Sequence, residues 1–150
     1  MATRRVVVVG PNGKPQQIQS VDSPSGPRGG DLGASNLTFV IDGGGATITT
    51  GIKGDLEIPF ACSITQVTLL ADQSGSIVID IWKNVYASFP PLVGNSIVAS
   101  APPTITTAVK SQDATLTGWT TTCAAGDILR FNVNSVTTIQ RCTVALRVLR

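Results

Sequence analysis

The chain has 150 residues, only 13% of them charged, and a formal net charge of +2, which is too small by itself to promise nucleic-acid binding. It contains no histidine, so a His-based triad, an imidazole general base and a His metal site are excluded. The bias is toward β structure: 16 Val, 13 Ile and 18 Thr make 47 β-branched residues, and 15 Gly with 9 Pro supply turn positions.

In chain order, residues 4–9 read as an extended run, followed by the turn Pro11-Asn12-Gly13-Lys14 and a second run over 15–21. Asn-Gly between two extended runs is a hairpin signal. Such a ribbon is marginal alone, and the Val6, Val7, Val8, Val9 run suits burial on both faces, so it is expected to order against a partner. Residues 23–35, rich in Ser, Pro and Gly, read as a linker. The division predicted is therefore an N-terminal anchoring arm and linker over 1–35 and a β domain over 36–150. Charge divides at the same place. Arg4, Arg5, Lys14 and Arg28 against Asp22 and Asp31 leave the arm at +2, and seven bases against seven acids leave the rest at 0.

From residue 36 strand signals recur about every ten residues. Strands are predicted over 36–42, 46–50, 51–58 and 63–71. Asp72-Gln73-Ser74-Gly75 reads as a turn, and 76–83 as the next strand, with Ile77, Ile79 and Ile81 on one face. Residues 84–95, with Phe89-Pro90-Pro91 inside, form a long loop. Short strands follow over 96–100 and 114–119. The turn Ala125-Gly126-Asp127 leads into a strand over 128–134, with Leu129, Phe131 and Val133 pointing inward. The last strand, 137–149, places Cys142, Val144, Leu146 and Val148 on one face, while Ala145 and Leu149 lie on the solvent side as hints of a subunit contact. No stretch has a 3.6-residue apolar period. Eight or nine strands in this length fit an all-β, jelly-roll-like antiparallel β-sandwich with an extended N-terminal arm.

The chemistry is sparse. Without His, a serine nucleophile needs a lysine base, and the four lysines show no Ser-x-x-Lys spacing. Gly43-Gly44-Gly45 has no following Lys-Ser or Lys-Thr, so it reads as a turn and not as a phosphate loop. Glu57 and eight scattered Asp give neither an obvious carboxylate pair nor a calcium loop, and Asp72 and Asp127 read as turn-bonding side chains. The expectation is no enzyme, no cofactor and no metal. Cys62, Cys123 and Cys142 are odd in number and widely spaced, and read as reduced thiols in or near the core. Neither a cleaved leader nor a membrane-spanning helix is expected, because the four-valine run is too short for either.

The aromatic residues are the one candidate binding set. Trp82, Tyr86 and Phe89 cluster at a strand end and in the following loop, and Trp119 ends another strand. Aromatic faces beside polar groups stack on sugar rings, and Lys83, Asn84 and Asn95 are placed to add hydrogen bonds. The structural alternative is that these rings fill the core or a subunit contact. No basic groove accompanies them, so stacking of single-stranded nucleic acid is not expected.

Several segments carry a resemblance. Gly51-Ile52-Lys53-Gly54-Asp55-Leu56-Glu57-Ile58-Pro59-Phe60 resembles part of a module that recurs in virion proteins of tailed bacteriophages. The resemblance extends through Leu70-Ala71-Asp72-Gln73-Ser74-Gly75-Ser76-Ile77-Val78-Ile79-Asp80-Ile81-Trp82-Lys83, then Leu116-Thr117-Gly118-Trp119-Thr120 and Ala125-Gly126-Asp127-Ile128-Leu129. It spans roughly residues 42–148. The stretch Asn12-Gly13-Lys14-Pro15 with Gln16-Gln17-Ile18 looks like the short leaders of phage fibre and head-fibre domains. The resemblance implies a homotrimeric β-sandwich displayed on a virion, on a tail fibre or on a capsid, and it carries over no site residues.

Two readings follow. The first is a non-enzymatic capsid decoration or head-fibre trimer, assembled in the host cytoplasm and shown on the virion surface. Its arm, through Arg4, Arg5 and Val6, Val7, Val8 and Val9, would hold the major capsid protein or another virion protein, since three weak arms on one trimer bind far more tightly than one. The second is a tail-fibre or receptor-binding tip that holds host polysaccharide through Trp82, Tyr86 or Trp119. Neither involves nucleic acid or insertion into a membrane.

Overall fold

The computed structural model describes Val7–Val9, Pro15–Gln17 and residues 33–150. The chain divides into two compact units, Met1–Asp31 and Leu32–Arg150. In the first, β1 (Val7–Val9) and β2 (Pro15–Gln17) pair antiparallel with Val8 opposite Gln16. Arg4, Arg5 and Val6, the Asn12-Gly13 turn and residues 23–32 of the expected linker lie outside the described residues, while its last two residues, Ala34 and Ser35, already pair with Leu149 and Val148.

The second unit is an antiparallel sheet of seven strands: β3 (Ala34–Asp42), β4 (Gly51–Glu57), β5 (Cys62–Val85), β6 (Thr104–Asp113), β7 (Thr122–Cys123), β8 (Asp127–Thr137) and β9 (Arg141–Leu149). Its organising element is β5, which is 24 residues long. β9 pairs with its first half, from Ser63 to Ala71, and β8 with its second, from Ser76 to Val85. β6 pairs with β5 on both sides of the junction, at 67–70 and at 75–78. Because β6 holds one edge across the junction, β8 and β9 share the other, and β7 pairs with the start of β5 on the β6 side. β3 extends the sheet beyond β9, and β4 extends it beyond β8.

The sheet curls at this junction, and both halves contribute to a single core. Ile64, Val67 and Leu69 of the first half of β5 and Val144, Leu146 and Val148 of β9 join Ile77, Ile79 and Ile81 with Leu129, Phe131 and Val133 of β8. Phe39 of β3 stacks on Phe131 of β8, ring centroids 4.4 Å apart. Its ring also lies where a Cβ on Gly54 of β4 would fall, so the two ends of the sheet meet through Phe39. Alternation explains why these residues face inward: most of the intervening positions carry polar or small side chains and face out.

The structure corrects four boundaries. Residues 72–75 are not a turn but the middle of β5. They serve the β8–β9 connection instead: the Asp72 side chain accepts, through Oδ1, the backbone N–H groups of Gln140 (3.1 Å) and Arg141 (3.0 Å), and the Ser74 backbone carbonyl accepts from Thr138 Oγ1 (2.7 Å). Residues 46–50 are not a strand, although Ile48 is buried and its N–H donates to Ile139 O (2.9 Å). Residues 96–100 make one bridge, Ser96 to Trp82, and residues 114–119 are a bend and turn with Leu116 at φ 50° and Gly118 at φ 76°. The missing strand is β6, over Thr104–Asp113. Its exposed positions are Thr106, Thr107, Val109, Lys110 and Gln112, and Ile105 is its only buried residue, so it has little apolar alternation to read.

Candidate functional site

Register converts alternation into surfaces. On the outer side of the first half-sheet, Val40 (β3) stands opposite Thr143 (β9), Thr143 opposite Leu70 (β5), and Leu70 opposite Lys110 (β6). The next row is Thr38, Ala145, Thr68 and Gln112, and beyond it lie Asn36, Arg147 and Gln66. Val40 is 52% exposed and Leu70 is 49% exposed. Lys110 and Arg147 are the only charged side chains in these rows. At one end Arg141 stands against Asp42 (Nε–Oδ2 2.7 Å), and the Asp72 carboxylate binds the backbone beside it. The backbone N–H groups of Arg141 and then Gln140 hold the Asp72 carboxyl below its ordinary range. The face is thus sparsely charged and partly apolar, with a shallow concavity at Thr68, Leu70, Lys110 and Gln112. Ala145, the expected contact residue, lies in its middle, half-buried between Thr38 and Thr68, and Leu149 is exposed at the end of the same strand.

A second apolar surface lies on the segment 85–96, which folds back over the second half-sheet. Two short 3-10 turns, Tyr86–Ser88 and Val93–Asn95, flank Phe89-Pro90-Pro91. The segment is pinned at several points. Asn84 Nδ2 donates to Ser88 O (3.0 Å), Leu92 N donates to Asn95 Oδ1 (2.9 Å), and Ser96 Oγ donates to Asp80 Oδ1 (2.7 Å). Arg130 of β8 stands beneath it. It binds Asp55 of β4 with two bonds, Nε–Oδ1 2.7 Å and Nη2–Oδ2 2.8 Å, and its guanidinium lies 5.1 Å from the centroid of Phe89. Tyr86, Phe89, Leu92 and Val93 are left exposed on the outside.

The candidate glycan residues fall into two environments. Tyr86 is 78% exposed, whereas Trp82 is 8% and Trp119 9% exposed. The Trp119 indole donates to Ala101 O (2.9 Å), and that of Trp82 is enclosed with no partner. Tyr86 is the member of the three that offers a ring face to a sugar. The polar groups expected beside them are already engaged: Asn84 bonds loop backbone on both sides of its amide, and Lys83 pairs with Asp127 (3.5 Å) and donates to Thr122 O. Asp127 in turn accepts the N–H of Ala124 (2.9 Å) and closes its own turn, as its place in the sequence suggests. Among the described residues there is no group of three or more His, Cys, Asp or Glu positioned to hold a metal ion, and no helix long and apolar enough to cross a membrane.

The sequence pointed to the aromatics and missed the row from Val40 to Leu70. The signal was present: Val40 interrupts the alternation of Leu37, Phe39 and Ile41, and Leu70 follows Leu69, so each places an apolar side chain where the strand faces out. Comparison with protein-family models and with curated proteins returned no match.

Proposed function

We propose that this protein is a non-enzymatic structural component of a bacteriophage virion, a capsid decoration or head-fibre protein that trimerises through its β unit and is anchored to the shell by its N-terminal arm. In this reading the curled sheet is a jelly-roll-like β-sandwich. The resemblance of residues 42–148 to phage appendage modules supplies the class. The structural observation that carries self-association is the outward row of Val40, Thr143 and Leu70, on a unit whose charges sum to zero from residue 36 onward. The arm brings the net charge of +2 and the short pairing of β1 with β2, an edge on which a shell protein can add strands. The test is decoration of shells stripped of this protein: the full chain restores full occupancy, and a chain lacking residues 1–35 remains trimeric but does not bind. Full occupancy by the shortened chain would remove the anchoring role.

A second reading, a tail-fibre or receptor-binding tip for host polysaccharide, is favoured by the exposed ring of Tyr86 on the pinned segment 85–96. It requires that glycan binding be lost in Tyr86→Ala with the fold intact. Unchanged binding in that variant removes it.

A further inference from the structure

Cys62 and Cys123 are far apart in sequence, yet they are direct Cα partners in the antiparallel pairing of β5 with β7. The ladder shows which kind of partners they are. Ile64 N donates to Thr121 O (2.9 Å), so Ile64 and Thr121 form a hydrogen-bonded pair. Pair types alternate along an antiparallel ladder, so Ser63–Thr122 is of the open kind and Cys62–Cys123 is again hydrogen-bonded. Cα atoms of such a pair lie about 5.5 Å apart, inside the window of about 4.4–6.8 Å that a disulfide spans. Both side chains belong to the same core cluster, and the Cys123 thiol donates to Thr121 O (3.9 Å) beside it. Cys142 is elsewhere: its register partner on β5 is Ala71, about 30 Å along the strand from Cys62.

We propose that Cys62 and Cys123 form an intramolecular disulfide when the protein meets a low-molecular-weight disulfide oxidant, and that this bond fastens β7 to the start of β5. β7 is two residues long and pairs only at Cys62 and Ser63, so it is the least secured strand of the sheet. In the exchange, the thiolate of one cysteine attacks a sulfur of oxidised glutathione and one glutathione leaves as thiolate. The second cysteine thiolate attacks the mixed disulfide and releases the other glutathione. Two electrons pass to the oxidant, and the two protein thiol protons end on two glutathione thiols. Burial pushes both thiols up, Cys123 to about 11, while the Lys83 ammonium favours the thiolate at both. The pair is therefore slow to react and closes only in an oxidising environment. The bond closes a loop of roughly 60 residues that contains the exposed segment 85–96 and all of β6.

The test has two arms. The native full-length protein is incubated with oxidised glutathione at mildly alkaline pH, and the denatured, reduced chain is refolded in a glutathione redox buffer. In the refolding arm access through β7 is not limiting. The expected product in that arm has lost the mass of two hydrogen atoms, links the Cys62 and Cys123 peptides, and leaves Cys142 open to alkylation. Its Tm is higher than that of the reduced protein by roughly 5–15 °C, and dithiothreitol reverses the gain. Cys142→Ala still forms the bond, and Cys62→Ser does not. Failure to find the 62–123 link after refolding, a link to Cys142, or a cross-linked form less stable than the reduced one would overturn the proposal. The native arm reports only how fast β7 opens, and slower closure there than on refolding is the expected result.

Discussion

Val40 and Leu70 lie in one cross-strand row, separated only by Thr143, and both are about half exposed although neither strand is an isolated ribbon. Apolar side chains placed in this way on a sparsely charged face fit a partner better than they fit water. In the proposed trimer that partner is a second and third copy of the chain. Val40→Lys with Leu70→Lys is expected to convert the assembly to monomers by native mass or sedimentation, with an unchanged circular dichroism spectrum. Trimers that persist in the double variant would place the subunit contact elsewhere.

Gly75 is the point where the β8–β9 connection packs onto β5. A Cβ there would meet Thr137 O, Thr138 Oγ1 and Ile139 Cγ1, two of the three on a connection already bonded to Asp72 and Ser74. Gly75→Ala should destabilise the protein by about 1–3 kcal/mol through this overpacking, measured by chemical denaturation. Gly94, which has open space around it, is the control, and Gly94→Ala should be nearly neutral.

Arg130 holds the segment 85–96 from below. Arg130→Ala removes the two bonds to Asp55 and the stacking under Phe89, and should cost about 1–3 kcal/mol of stability. Arg130→Lys should recover little, since an ammonium cannot make the forked pair and the flat stack together. Hydrogen exchange should increase over 85–96 in both variants, while the β5–β9 ladder stays protected.

How far the sequence was legible depends on what surrounds each residue. The alternation of Leu129, Phe131 and Val133, and of Cys142, Val144, Leu146 and Val148, was readable because each strand has one wet face and one buried face. Residues 72–75 misled because their turn-like composition serves another segment: Asp72 and Ser74 take bonds from the β8–β9 connection, and Gly75 makes room for it. β6 went unseen because Ile105 is its only fully buried residue. The row from Val40 to Leu70 depends on register between strands distant in sequence, and alternation within one strand cannot supply that. The burial of Trp82 and Trp119 has the same origin, since chain from elsewhere covers them.

The thiols make a prediction about pH. Burial raises Cys142 and Cys123 from 9.0 to about 11 each. Between those values the folded chain keeps protons that the unfolded chain releases, so stability falls as pH rises through this window and is fully retained below it. The loss is on the order of 2 kcal/mol per thiol, read as the slope of unfolding free energy against pH under reducing conditions. Cys142→Ala should make that slope clearly shallower, leaving the contributions of Cys123 and Cys62. A slope between pH 9 and 11 unchanged in the variant would show that Cys142 is not protected in the fold.

The most direct test of the account is immunogold electron microscopy of virions with antibody against this protein. The account predicts label spread over the head, with threefold-symmetric density on the shell when the same particles are averaged. Label confined to the tail tip, or virions that carry none, would contradict it.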